Sequence, residues 1–100
     1  MDKTENIYQV ILHTDIGKRM GKLRISVTKG KIKGMLCLLG KETECEGTVD
    51  DKGNCRIKGT LNTLKNRIEY IATGNLLPSE LLMTFKYKNK AYRLQGCIEV

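Results

Sequence analysis

Few residues in this chain could do chemistry, and their spacing limits what that chemistry could be. The four cysteines, Cys37, Cys45, Cys55 and Cys97, are spread along the chain, and His13 is the only histidine. Zinc sites draw on closely spaced ligand pairs, which this pattern lacks, so no metal is expected. The opening Met1-Asp2-Lys3-Thr4-Glu5-Asn6 is polar and carries both signs of charge. It lacks the basic start and apolar stretch of a secretory signal, so we expect a cytoplasmic protein with reduced, mostly buried thiols. A nucleophile–base pair is poorly served as well. His13 stands beside Ile11 on a strand, the serines are only Ser26 and Ser79, and no Gly-x-Ser-x-Gly elbow occurs. No glycine-rich phosphate loop precedes a helix.

Glu42, Glu44 and Glu46 recur at every second position. On a strand they stand about 7 Å apart, a spacing open to acid–base work. Thr43 and Cys45 between them mark the inner face, so the glutamates should face water and pair with Lys31, Lys33, Arg56 or Lys58 across strands. We expect no catalytic residue, no cofactor and no enzymatic activity.

Lysine and arginine total 18 against 11 aspartates and glutamates, a net charge of +7. The cations gather at Lys18, Arg19, Lys22 and Arg24, at Lys29, Lys31 and Lys33, and at Lys86, Lys88, Lys90 and Arg93. Such clusters can hold nucleic acid, and strand-based readers of single strands add exposed aromatic platforms. Here Tyr8, Tyr70, Phe85, Tyr87 and Tyr92 all fall on inner faces. The expected role of the cations is a solvated surface rather than a nucleic-acid site. No apolar run approaches the ~20 residues of a membrane helix, and no membrane partner is expected.

The elements that position these residues are strands. Period-2 alternation runs through the chain, most clearly in Lys22–Thr28, where Leu23, Ile25 and Val27 face one way and Lys22, Arg24, Ser26 and Thr28 the other. Turn signals at Asp15-Ile16-Gly17, Lys29-Gly30, Gly40-Lys41, Asp50–Asn54, Lys65-Asn66 and Asn89-Lys90, together with the link around Pro78, cut it into eight strands. The first is expected over Ile7–Thr14, with both faces partly apolar and residues 1–6 a flexible tail. A single helical turn is weighed at Pro78-Ser79-Glu80. The 100 residues form one domain, 1–100: an all-β, eight-stranded antiparallel meander closed into a barrel or barrel-like sandwich.

One pattern repeats. Apolar-x-Gly-x-apolar occurs around Gly34, Gly47, Gly59 and Gly96, and more loosely around Gly74. Each glycine lies in phase with its inner-facing neighbours, as sharp coiling or a bulky side chain opposite requires. With its eight meandering strands and these glycines, the chain from about Ile7 to Val100 resembles the small lipocalin-like, calycin-type barrels. It departs from them in lacking tryptophan, and so the Gly-x-Trp motif, and the plugging N-terminal helix. The resemblance implies a closed barrel with a small interior.

Two functions follow from different classes. In the first, the interior binds a small apolar or amphipathic ligand lined by Tyr70, Phe85, Tyr87 and Tyr92 over Gly59 and Gly96. In the second, a solid-cored barrel pairs with itself or docks to a partner protein through Met35, Cys37 and Leu39, which face outward along one strand. The space above Gly34, Gly59, Gly74 and Gly96 separates them: if facing side chains fill it, the pocket vanishes.

Overall fold

The computed structural model describes residues 3–15, 17–38, 40–62, 67–77 and 79–99. Eight strands follow in order: β1 (Lys3–Thr14), β2 (Gly17–Thr28), β3 (Lys31–Leu38), β4 (Lys41–Val49), β5 (Asn54–Asn62), β6 (Arg67–Leu76), β7 (Glu80–Tyr87) and β8 (Lys90–Ile98). Each pairs antiparallel with the next, and β8 returns to β1, so the meander closes into a barrel.

The register fixes the barrel's shape. From Lys3 the cross-strand partners run through Thr28, Lys31, Thr48, Arg56, Thr73, Thr84 and Arg93 and arrive back on β1 at His13, ten residues further along the strand. A closed sheet with this stagger has strands steeply inclined to the barrel axis. Alternation then sorts side chains cleanly. Tyr8, Val10 and Leu12 of β1, Leu23 and Ile25 of β2, Ile32, Leu36 and Leu38 of β3, and Leu81, Met83 and Phe85 of β7 are buried in one core. Val27, Ile68, Tyr87, Tyr92 and Ile98 pack against it from partly exposed positions. Cys45, Cys55 and Ala72 complete the interior.

Strands so steeply coiled bring backbones together where a side chain would intervene. At Gly47 a Cβ would overlap the carbonyl oxygen of Arg56 and lie 2.8 Å from the Ile57 Cα on β5. Only glycine fits there, which accounts for one of the repeated inner-row glycines.

One local expectation changes. The region expected to be a tail enters β1 at Lys3, and Lys3–Asn6 pair with Ile25–Thr28. The second half of β2 extends past the end of β8 and offers this backbone a ladder that side-chain alternation does not announce. At Pro78-Ser79-Glu80, weighed above as a helical turn, Ser79 is a bend leading into β7 and Pro78 lies outside the described residues. The Leu77 amide donates to the Glu80 carbonyl at 2.9 Å and the Ile98 amide to the Ser79 carbonyl at 2.8 Å, so this backbone serves the sheet. Ile7 and Ile11 are half-buried on the outer side of β1.

Gly47→Ala should cost about 1–3 kcal/mol, the usual range for overpacking a site that cannot relax. The check is the urea-denaturation midpoint. An unchanged midpoint would mean the β4–β5 approach is looser than described.

Candidate binding groove

The aromatic residues expected to line an interior pocket meet one another and fill the space. The Tyr70 ring stacks on Phe85, with centroids 4.4 Å apart and planes 22° from parallel. Phe85 meets Tyr87 edge-on at 6.2 Å, and Tyr87 meets Tyr92 at 5.6 Å. Gly59 and Tyr70 are direct cross-strand partners. A Cβ on Gly59 would lie 2.7 Å from the Tyr70 hydroxyl, so the tyrosine occupies the place that glycine leaves. Gly96 is not part of this group. It lies between Val10 and Leu81, its partners on β1 and β7, and a Cβ there would come within 2.8 Å of Val10 Cγ1. The space above Gly34 and Gly74 is likewise taken, by the Ile25 side chain with the Arg24 backbone and by the Leu82–Met83 backbone.

A concavity lies across the sheet instead, a groove of about 1340 Å³. Its β4 side carries Glu42, Glu44 and Glu46, its β6–β7 side Arg67, Lys86 and Lys88, and Met35 and Ile71 add apolar surface. Thr43, Cys45, Gly59 and Tyr70 belong to it from the inner row. The groove follows a parted seam. β4 and β5 pair only from Cys45↔Gly59 to Val49↔Cys55, although both strands continue beyond Cys45 and Gly59 toward this end of the barrel.

Burial sets the chemistry of the inner row. Tyr70 is 3% exposed and Thr43 7%, and among the described residues neither hydroxyl has a hydrogen-bond partner of good geometry. The neighbour of the Tyr70 hydroxyl is the Cys45 thiol, a weak partner at best. Burial pushes the Cys45 thiol up to about 11, against a lesser lowering influence of Tyr70. Burial raises Tyr70 too, with Cys45 adding to the effect. Cys55, beside the Met83 sulfur at 4.0 Å, is pushed up to about 11 by burial and then by the Asp50 charge. Protonated thiols are weak nucleophiles.

At the same end, Tyr92 donates to Asp15 Oδ2 at 3.0 Å, and Lys90 reaches that oxygen at 3.4 Å. The Tyr92 hydroxyl is raised first by its bond with Tyr87, then by burial and Asp15. This clasp joins the β1–β2 turn to the β7–β8 hairpin.

Of the outward residues expected to form an interface, Met35 is half-buried and lines the groove. Cys37 is half-buried between Lys22 and Glu42 on the neighbouring strands, and Leu39 lies outside the described residues. Leu64 and the Lys65-Asn66 turn lie outside them as well. Sequence reasoning placed Thr43 and Cys45 on the inner face without singling them out, and it missed the Asp15–Tyr92 contact. Alternation reveals a face but not a partner 77 positions away.

Thiol labelling at pH 8 should modify the exposed Cys97 quickly and leave Cys45 and Cys55 unmodified until the protein unfolds; rapid labelling of either would contradict their burial. The fold favours the protonated forms of both buried thiols. Their contribution to stability is therefore whole below pH 9, the ordinary thiol value, and is lost as pH rises toward 11. The denaturation midpoint should fall across that window, and a flat profile would oppose the assignment. Tyr70→Phe should leave stability unchanged or raise it by up to about 1 kcal/mol, because it removes a buried hydroxyl without a partner. A clear loss in thermal melts would show that the hydroxyl is satisfied.

Compared with known protein families and with curated proteins, the chain matches no family model and no curated protein, so its functional reading rests on the barrel and this groove.

Proposed function

We propose that the protein is a non-catalytic binding module: a solid-cored β-barrel that docks a partner polypeptide along its outer groove. The observation that carries this reading is the contrast between the two sides of the sheet. Inside, the places left by Gly34, Gly59, Gly74 and Gly96 are occupied by neighbouring side chains and backbone. Outside, a groove of about 1340 Å³ combines acidic, basic and apolar surface. An interior ligand, as the likeness to lipocalin-like barrels implies, would have to displace the stacked Tyr70 and Phe85. A partner in the groove displaces nothing. The mixed charge of the groove also suits a polypeptide better than a polyanion, since Glu42, Glu44 and Glu46 would repel phosphates.

A photo-crosslinking residue at Met35 tests this. In extract from the protein's own host, crosslinks should form to a defined polypeptide at position 35 and not at Met20, which is 75% exposed and outside the groove. Ile71→Glu should abolish them. Equal crosslinking at both positions would contradict the groove. So would saturable 1:1 binding of a fluorescent fatty-acid analogue, which would return the function to the interior.

A further inference from the structure

The register of β4 against β5 leaves a longer stretch unpaired in both strands at once than any other seam in the described barrel. Pairing stops at Cys45↔Gly59, yet neither strand ends there. β4 runs on to Lys41, held on its other side by β3 through Leu36↔Thr43 and Cys37↔Glu42. β5 runs on to Asn62, held by β6 through Leu61↔Ile68 and Asn62↔Arg67. In an antiparallel sheet the backbone groups of a strand are shared between its two neighbours. Among the described residues, those of Glu42–Glu44 and Thr60–Asn62 that point into the seam have no laddered partner opposite. The overhang on β6 is of another kind: Arg67–Glu69 pass the end of β7, which turns back after Tyr87.

Two further observations fall at the same place. The first is charge. Glu46, where the ladder is intact, has Lys58 at 3.9 Å. Glu42 and Glu44, where it is parted, make no ion pair among the described residues. The second is Thr43 between them, buried with an unpartnered hydroxyl. An unpaired strand edge is a template for another strand, and this one lies within the groove.

We infer that the parted seam is a strand-addition site, where the free edge of β4 from Glu42 to Glu44 takes up an extended segment of a partner polypeptide with basic side chains at alternate positions. This inference rests on the groove reading and names the class of partner. Main-chain hydrogen bonds supply affinity, and the alternating side chains supply specificity. Lysine or arginine opposite Glu42 and Glu44 completes the charge pairs that Glu46 already has. A threonine at the intervening inward position gives the Thr43 hydroxyl a cross-strand partner. A second copy of the chain fits poorly, because a two-fold pairing of this edge with itself sets Glu42 and Glu44 against the same glutamates.

The probe is a blocked heptapeptide of alternating lysine and threonine, together with a version methylated on alternate backbone nitrogens. Binding and amide exchange are followed by NMR on the full chain. The seam-facing amides of Glu42–Glu44 should exchange quickly in the free protein and slow in the complex. Backbone methylation should weaken binding by about tenfold or more, since it removes the ladder donors. The double substitution Glu42→Lys and Glu44→Lys should abolish binding while leaving exchange in β2 and β3 unchanged, which reports an intact fold. Equal binding of the methylated peptide, or unslowed seam amides in the complex, would overturn strand addition and leave the groove standing. Absence of binding would overturn it too, and crosslinking at Met35 then decides separately whether the groove is used.

Discussion

The ten-residue stagger accumulated once around the closed sheet is the constraint on which the rest of this structure depends. A meander can close only if its register steps along the strands by a fixed amount, and the step sets inclination and width together. Eight strands enclose an interior that side chains can fill. Here they do so with Tyr8, Phe85, Ile25, Ile32, Leu36, Leu38, Leu81 and Val10, all nearly free of solvent. The coiling that closes the sheet also presses neighbouring backbones together. That explains why glycine rather than alanine interrupts the apolar rows, as at Gly47 against Arg56.

In the proposed reading, the same constraint places the binding surface on the outside of the barrel. Tyr70 lies over Gly59 and stacks on Phe85, so the aromatic residues expected to line a pocket brace one another. Where β4 and β5 part, the sheet trades backbone pairing for an open groove. The cost falls on the inner row: buried hydroxyls on Tyr70 and Thr43 without good partners, and a Cys45 thiol held protonated. Native interiors satisfy nearly all such groups. Both exceptions among the described residues lie beside the one parted seam.

Much of the fold was legible in the chain. Lys22–Thr28 alternates so strictly that its faces follow directly, and the Asp50–Asn54 turn is written in residues that favour it. Asp50 takes the Lys52 and Asn54 amides at 2.8 and 2.9 Å, as an Asx-type turn should. The start of β1 was not legible, because Lys3–Asn6 lack apolar alternation and are ordered by the partner strand Ile25–Thr28. Nor was the seam. Glu42-Thr43-Glu44 reads like any solvated strand, and only the register shows that the strand beside it has drifted away. The roles of Tyr70 and Gly59 were half visible. Their inward faces follow from period two, but filling and lining a cavity leave the same pattern, and only the distance between them separates the two.

The most direct test of the account is the set of nuclear Overhauser contacts of the Tyr70 ring in the ligand-free protein. A filled core predicts strong contacts from the ring protons to the Gly59 α-protons on one side and to the Phe85 ring on the other. If those contacts are missing, and the ring instead meets solvent or a co-purified small molecule, the interior is open and the groove loses its claim to be the functional surface.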